Sequence, residues 1–182
     1  ILGPGDRLDH QAAVARVLPD IRLARIALAD DIIKNRTLST AYGYENVANT
    51  LKNPASFFNN NRPNSPFDVL ISPNEVVCHG IPSATRILQD GDIINIDVAI
   101  IKDGYFGDTS RMYYVGSIKP EAKKLVDTTY EAMLAGIQAV KPDATLGDIG
   151  FAIQQFCEKK GFGIVRQLTG HGIGRQMHEA PQ

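Results

Sequence analysis

The sequence predicts an α+β fold with a mainly antiparallel sheet, and three observations support this prediction. Two runs rich in β-branched residues, 93–101 and 105–115, are joined by Asp103-Gly104, a dipeptide typical of a two-residue hairpin. Two amphipathic helical patterns follow, at 120–140 and 145–160. The order of helices, hairpins, helices and a last strand favours an α+β arrangement over alternating parallel units.

Composition bounds the class of protein. The chain has 182 residues, 43% of them apolar, and a formal charge of -1, which suits one globular domain over residues 1–182. It has no basic excess to mark a nucleic-acid or membrane partner, and its apolar runs are far shorter than the ~20 residues of a membrane span. Two cysteines are too few for a disulfide scaffold. We therefore expect a cytoplasmic protein; a monomer is a separate expectation.

The elements before the hairpin are less regular. Residues 7–34 carry a helical pattern with a second segment beginning at Pro19, and 53–66, with three prolines and five asparagines, predict a loop. Residues 67–71 and 76–78 predict short strands around a turn at 72–74, and 89–92 predict another turn.

The elements after the hairpin carry clearer signals. Pro120 suits the first position of a helix, and Thr145 with Asp148 resembles a capping box opening the next one. Gly161 ends that helix, and its Cys157 is predicted to lie in the core. Residues 163–168 predict a strand that leads into a glycine-rich segment at 170–174.

Asp97 is the most informative side chain, because it lies in a strand pattern between apolar neighbours. Burial of an isolated carboxylate is unfavourable unless it is paired or bound to a cation. If Asp103-Gly104 forms a two-residue turn, position 97 pairs with 110 and 99 with 108, so Asp108 is diagonal to Asp97 on one face. One or two divalent cations would remove the repulsion between them, which predicts a metal site.

Three of the four histidines, His79, His171 and His178, stand beside glycine, proline or acidic residues. Glycines on both sides of His171 allow close approach of the backbone to a site. Imidazole with carboxylates is a ligand set for Mn, Fe, Co or Zn rather than calcium. A cysteine nucleophile is a weaker interpretation, since Cys78 and His79 would point to opposite faces of a strand.

Five segments, in order and spacing, closely resemble type I methionine aminopeptidases. They are Ser72-Pro-Asn-Glu75-Val-Val-Cys-His79-Gly-Ile-Pro82, Asp90-Gly-Asp-Ile-Ile-Asn-Ile-Asp97, Lys102-Asp-Gly-Tyr-Phe-Gly-Asp108-Thr-Ser, Gly170-His171-Gly-Ile-Gly174 and His178-Glu. The resemblance covers residues 69–182, whereas 1–68 match poorly. Prolidases and aminopeptidase P share the fold and the two-aspartate hairpin, but the stretch before Pro82 is similar to the methionine aminopeptidase branch.

This resemblance implies the pita-bread fold, in which two pseudo-symmetric α+β halves surround a dinuclear metal site. It implies two divalent ions (Co, Mn, Fe or Zn), with Asp97 as terminal ligand, Asp108 as bridging ligand and His171 as imidazole ligand. His79 and His178 match two catalytic, substrate-side histidines, one near the scissile amide nitrogen and one on the carbonyl. The implied activity is removal of the initiator methionine from peptides or nascent chains by a metal-bound hydroxide, and the ribosome is a further partner it would imply.

The chain also departs from the family pattern. Leu70 stands where a pocket cysteine is common and Met177 where an aromatic residue is usual, which makes both candidate substrate-binding residues. The family's Gly-Tyr-x-Gly-aromatic-Pro stretch is absent from 1–68. Two further glutamates, one of them the general base, complete the family's site beyond the position of Gln182. With Ile first and no terminating feature at the end, the chain is expected to be a fragment with an incomplete second half and site.

Two other functions stay open at this point. One is a non-catalytic pita-bread protein that binds peptides or a partner through its cleft. The other is a prolidase-like peptidase of the same fold. The five retained side chains favour an enzyme, and activity on Met-starting against Pro-containing peptides would separate the two peptidases.

Overall fold

The computed structural model describes residues 29–30, 33–34, 67–80 and 85–182. The chain forms two compact units. The first holds the described residues up to Ser117 together with Gly172–Pro181, and the second holds Ile118–His171. Whether these are parts of one catalytic domain over 1–182 stays a prediction.

The described residues of the first unit form a three-stranded antiparallel sheet in the order β1 (Phe67–Pro73), β2 (Ile93–Lys102) and β3 (Tyr105–Tyr114). Asp103 and Gly104 connect β2 to β3 with φ values of 53° and 78°. Two successive positive φ values are what a type I′ hairpin turn requires. The predicted hairpin is therefore confirmed.

The register of the hairpin also agrees with the prediction. Asp97 pairs with Ser110, and Ala99 pairs with Asp108. Because the turn contains two residues and no bulge interrupts the ladder, every pair along β2 and β3 keeps the same relation. Asp97 and Asp108 thus lie on one face of the sheet, in diagonal positions.

The two faces of this sheet differ in character. On the apolar face, five side chains are at most 1% exposed: Ile71, Ile94, Ile96, Val98 and Ile100. The residues between them point the other way, because side chains alternate along a strand. We call this second surface the polar face; it carries Leu70, Ser72, Asn95, Asp97, Ala99, Asp108, Ser110 and Met112.

Asn74 closes the connection between β1 and β2. Its Nδ2 donates to Oδ1 of Asp92 at 2.8 Å, and its Oδ1 accepts from the backbone N–H of Ile93 at 3.1 Å. The backbone of Asp92 in turn donates to Gln89 O at 3.1 Å, which confirms the predicted turn at 89–92. These bonds fix the end of β1 against the start of β2.

The second unit is built from two helices, α1 (Pro120–Gln138) and α2 (Leu146–Lys159). Both starts were predicted: Pro120 opens α1, and Thr145 and Asp148 form the capping box of α2. Gly161, with a φ of 87°, follows α2 at the position where a left-handed residue ends many helices.

Packing between α1 and α2 depends on a small residue. Gly136 of α1 is buried, and a Cβ there would lie 2.8 Å from the side chain of Ile153 and 3.5 Å from that of Ile149. Cys157 is buried as predicted, and this burial raises the pKa of its thiol, with the charge of Glu158 adding to the rise. Neither helix is both long and apolar enough to cross a membrane, and no other described helix is.

Two predicted strands are wrong. Residues 76–78 follow a turn and make no ladder, because the chain bends back to place Gly80 against β1. Residues 163–168 are irregular, with Val165 51% and Leu168 56% exposed. A β-prone run needs a partner strand and a buried face to become a strand, and this one has neither among the described residues. The predicted loop at 53–66 lies outside the described residues, and the four described positions of the predicted 7–34 helix are helical.

Candidate metal centre

Asp97 lies at the centre of the polar face. Its neighbours in β2, Ile96 and Val98, are both 0% exposed on the opposite face, while Asp97 itself is half-buried. Asp108 on β3 shares the polar face with it but is exposed. The structure therefore confirms the predicted face for both carboxylates and shows that only Asp97 is partly withdrawn from water.

An observed hydrogen bond shows how close diagonal side chains come on this face. Ser110 Oγ donates to Asn95 Oδ1 at 2.8 Å. Ser110 stands opposite Asp97 and so is diagonal to Asn95. The pair of Asp97 and Asp108 has the same diagonal relation, one step further along the hairpin. Two side chains in this diagonal relation can therefore come into direct contact on this face.

Leu70 adds an apolar wall to the carboxylate pair. It is the direct partner of Asp97 across β1 and β2, and it is half-buried. Directly opposite residues have Cβ atoms about 4.5–5.5 Å apart. The candidate pocket residue and the candidate ligand thus lie side by side on the polar face.

His79 is held by an unusual backbone. It is exposed and has a φ of 55°, in the left-handed region that costs a non-glycine residue of order 1–3 kcal/mol. The next residue, Gly80, is bound to β1 twice. Its N–H donates to Ser72 Oγ at 3.1 Å, and its carbonyl accepts from Ile71 N at 3.2 Å.

Gly80 is also required by space. A Cβ at this position would overlap the carbonyl oxygen of Ile71. Only glycine allows the chain to approach β1 this closely. The sequence around His79 is therefore fixed against β1 by contacts that other residues could not make.

His178 and Met177 lie in a segment that closes on itself, Gly172–Pro181, which we call the histidine loop. Glu179 N donates to Gly172 O at 3.0 Å, and Gly172 N donates to Pro181 O at 2.7 Å. In this loop Met177 is half-buried and His178 exposed.

The two histidine-bearing segments dock on opposite edges of the sheet. Phe106 of β3 donates its N–H to Gly174 O at 2.7 Å, outside the ladder with β2. Ile71 of β1 likewise donates outside its ladder, to Gly80. Since β1 and β3 are the outer strands of the sheet that the described residues form, His79 belongs to one edge of it and His178 to the other.

His171 belongs to the second unit and is joined by a peptide bond to Gly172, where the histidine loop begins. Across all described residues, no three His, Cys, Asp or Glu side chains form a group that could hold a metal ion. The pair of Asp97 and Asp108 is the part of the predicted ligand set that the sheet itself brings together.

Three residues of this region were missed by the sequence analysis as functional residues: Ser72, Asn95 and Ser110. All lie on the polar face, and the first holds Gly80 while the other two bond to each other. The alternation of side chains along β1, β2 and β3 was the signal that could have found them.

Solved structures of two peptidases match this chain. A crystal structure of methionine aminopeptidase from Rickettsia prowazekii matches with a TM-score of 0.72 and 39% identity, over 91% of this chain and 68% of that chain. The prolidase from Pyrococcus furiosus matches with a TM-score of 0.78 and 22% identity, over 95% and 50% of the two chains, which shows the fold alone. These matches confirm the pita-bread fold for the part that the chain covers.

Sequence comparison then shows the family. Residues 10–182 match Metallopeptidase family M24. This chain therefore belongs to that metallopeptidase family. The curated methionine aminopeptidase of Rickettsia prowazekii is 54% identical over 116 residues, which are 64% of this chain and 44% of that protein. The resemblance to methionine aminopeptidases is thereby confirmed, although this chain spans less than half the length of that relative.

Proposed function

We propose that the protein is a methionine aminopeptidase that removes the N-terminal methionine from peptides and nascent chains with the help of divalent metal ions. The observation that carries this proposal is the diagonal placement of Asp97 and Asp108 on the polar face of a metallopeptidase hairpin. Relatives named methionine aminopeptidase support the choice of substrate.

Membership in a metallopeptidase family implies divalent metal cofactors, and the donor chemistry fits them. We propose two ions, of Co, Mn, Fe or Zn, held by the carboxylates of Asp97 and Asp108 and the imidazole of His171. By resemblance to methionine aminopeptidases, Asp97 would serve as the terminal carboxylate ligand and Asp108 as the bridging one. When bound, such ions supply Lewis-acid polarisation of the scissile carbonyl and activate water.

The two exposed histidines would act on the substrate. An imidazole N–H can donate to the carbonyl oxygen of the scissile peptide as negative charge develops there, or contact the amide nitrogen of the leaving group. His79 and His178 come from opposite edges of the sheet, which is consistent with contacts to two sides of one peptide bond.

Leu70 and Met177 are proposed to contact the methionine side chain. Both are half-buried, and Leu70 is the cross-strand partner of Asp97. An unbranched thioether is favoured in apolar surroundings. Selection of methionine would follow from apolar contact beside the carboxylates.

We propose that the protein acts as a monomer in the cytoplasm, that its substrates include nascent chains, and that it works near the ribosome. Homologues named methionine aminopeptidase support a peptide substrate.

The test uses the protein with its natural termini, supplied with Mn²⁺ or Co²⁺, and measures free amino acids released from peptides. We expect methionine to be released from Met-Ala-Ser and nothing to be released from Ala-Pro. Cleavage of Ala-Pro alone would instead support a prolidase-like peptidase. Binding of Met-Ala-Ser without any cleavage would support a non-catalytic binding protein.

His79→Ala gives a second test of the same proposal. Turnover should fall about 10²–10⁴-fold, the range typical of a lost proton-transfer group, while metal content stays near that of the wild-type protein. Metal content is measured by mass spectrometry of elements. Loss of metal in this variant would mean that His79 is a ligand and not a substrate contact.

A further inference from the structure

Arg175, in the histidine loop, contacts β3 through its side chain. Its guanidinium carbon lies 4.6 Å from the centre of the Tyr105 ring. The same guanidinium is 3.9 Å from the place where a Cβ on Gly104 would stand. Arg175 therefore lies over the turn and the first residue of β3.

The backbone of Gly174, the residue before Arg175, is hydrogen-bonded to the same part of β3. Gly174 O accepts from Phe106 N at 2.7 Å. Two consecutive loop residues, Gly174 and Arg175, thus contact two consecutive strand residues, Tyr105 and Phe106. One contact point leaves a segment free to rotate about it in every direction, whereas a second point restricts rotation to the axis that joins the two.

The chemistry of the second contact is a cation held over an aromatic face. Guanidinium groups stack well on tyrosine because the ring face is electronegative. Arg175 is exposed, so stacking on Tyr105 is expected to raise the ratio of molecules with the loop held against β3 to those with it released about two- to fivefold. Such a factor is too small to hold the fold together but large enough to orient a loop.

We propose that Arg175 is a positioning residue: by clamping on Tyr105 it orients the histidine loop, and with it His178, on the strand that carries Asp108. The proposal rests on the proposed function for the role of His178. The clamp itself can be observed without any activity, so the two can fail separately.

The experiment compares Arg175→Ala and Tyr105→Leu, singly and together, with the conservative variants Arg175→Lys and Tyr105→Phe. Lys124→Ala is the matched control, since Lys124 Nζ lies 5.2 Å from the centre of the Phe162 ring in the second unit. Amide exchange of Phe106 and the ring resonances of His178 are followed by NMR, and kcat and KM are measured on Met-Ala-Ser.

We expect Arg175→Ala to lower the exchange protection of Phe106 about two- to fivefold, and to shift or broaden the His178 resonances. The β2–β3 ladder amides should keep their protection. The value of kcat should fall by up to the same factor at unchanged KM. Tyr105→Phe should behave as wild type, Arg175→Lys should recover part of the loss, and the double variant should be no worse than either single one.

Unchanged Phe106 protection and unchanged His178 resonances in Arg175→Ala would overturn the proposal, as would fully additive effects in the double variant. A fall in kcat of the same size in Lys124→Ala would also overturn it. If the wild-type protein releases no methionine, the proposed function fails, while the NMR results still decide on the clamp.

Discussion

The position of His79 depends on the glycine that follows it. His79 adopts a left-handed conformation, with a φ of 55°, and Gly80 ties the chain to β1 through both its N–H and its carbonyl. Strained backbone persists where the surrounding contacts over-determine it, and it is frequent at functional sites. The contacts of Gly80 supply that constraint here.

Gly80→Ala should therefore damage both stability and activity. The added Cβ would overlap Ile71 O, so the chain must move away from β1, at a cost of about 1–3 kcal/mol. Displacement of His79 by about 1 Å would lower kcat about 10²-fold. Urea unfolding and methionine release measure the two effects.

Gly150→Ala is the matched control. Gly150 lies within α2 with no heavy atom within 4 Å of a Cβ, so alanine should stabilise the helix by about 0.5–1 kcal/mol. Equal effects of the two substitutions would show that Gly80 is not a site of close approach.

At the scale of single elements, α2 has the most complete local signals. Thr145 accepts from Asp148 N, and Asp148 Oδ2 accepts from Thr145 N at 2.7 Å. The Thr145 hydroxyl also donates to Asp148 Oδ2, at 2.9 Å. The two bonds that the carboxylate accepts from Thr145, first from the backbone N–H and then from the hydroxyl, lower the pKa of Asp148, and Lys141 adds to the effect. At the other end, Phe162 N donates to Cys157 O at 3.0 Å, which closes a Schellman motif around Gly161.

The capping box predicts how α2 responds to acid. Because folding lowers the pKa of Asp148, its contribution to stability is fully present above the ordinary aspartate pKa of about 4, and is lost as the pH falls through the lowered value. The protection factors of the amides in the first turn of α2, which compare observed with intrinsic exchange rates, should therefore fall below about pH 4.

Asp148→Asn removes this response and serves as the comparison. The variant should show first-turn exchange that changes little in this pH range, after correction for intrinsic rates. Thr145→Ala should cost about 1 kcal/mol at pH 7. A wild-type first turn that is equally protected at pH 5 and pH 3 would contradict the account.

Local signals explain which elements could be predicted from the sequence. Asp103-Gly104 determines the register of the hairpin because both residues tolerate a positive φ, so the pairing of Asp97 with Ser110 followed from the turn alone. The capping box could be predicted for the same reason, because Thr145 and Asp148 are only three residues apart and their hydrogen bonds are local.

Contacts between residues distant in sequence explain what could not be predicted, beginning with the two incorrect strands. Residues 76–78 are not a strand because Gly80 returns to β1, and 163–168 are not a strand because no described strand pairs with them. The stacking of Arg175 on Tyr105 likewise has no local signature. The set of metal ligands was predicted from the family resemblance. Of these ligands, the hairpin register explains why Asp97 and Asp108 lie on one face of the sheet.

At the scale of the whole molecule, the two units distribute their apolar residues differently. The apolar face of the sheet is closed to solvent, with Ile96 at 0% exposure. In the second unit several large apolar side chains are exposed, among them Ile137 at 58% and Phe151 at 63%. The sheet is therefore where apolar burial contributes most per residue.

Two identical substitutions test this distribution. Ile96→Ala should destabilise the sheet by about 2–5 kcal/mol, because it removes buried methyl groups and leaves a cavity. Ile137→Ala should change stability by no more than about 0.5 kcal/mol, since the side chain is largely in water already. Urea unfolding of both variants measures the difference, and equal costs would mean that the sheet face is not the core.

We propose that Asp97 and Asp108 on the polar face hold divalent metal. Calorimetric titration of the metal-free protein with Mn²⁺ measures this, beside Asp97→Asn, Asp108→Asn and the control Asp127→Asn, whose carboxylate pairs with Lys123 on α1. We predict that the wild type and Asp127→Asn bind Mn²⁺ alike, and that each of the other two variants binds it at least about tenfold more weakly. Equal binding by the wild type and Asp97→Asn, or no binding by the wild type, would contradict the claim.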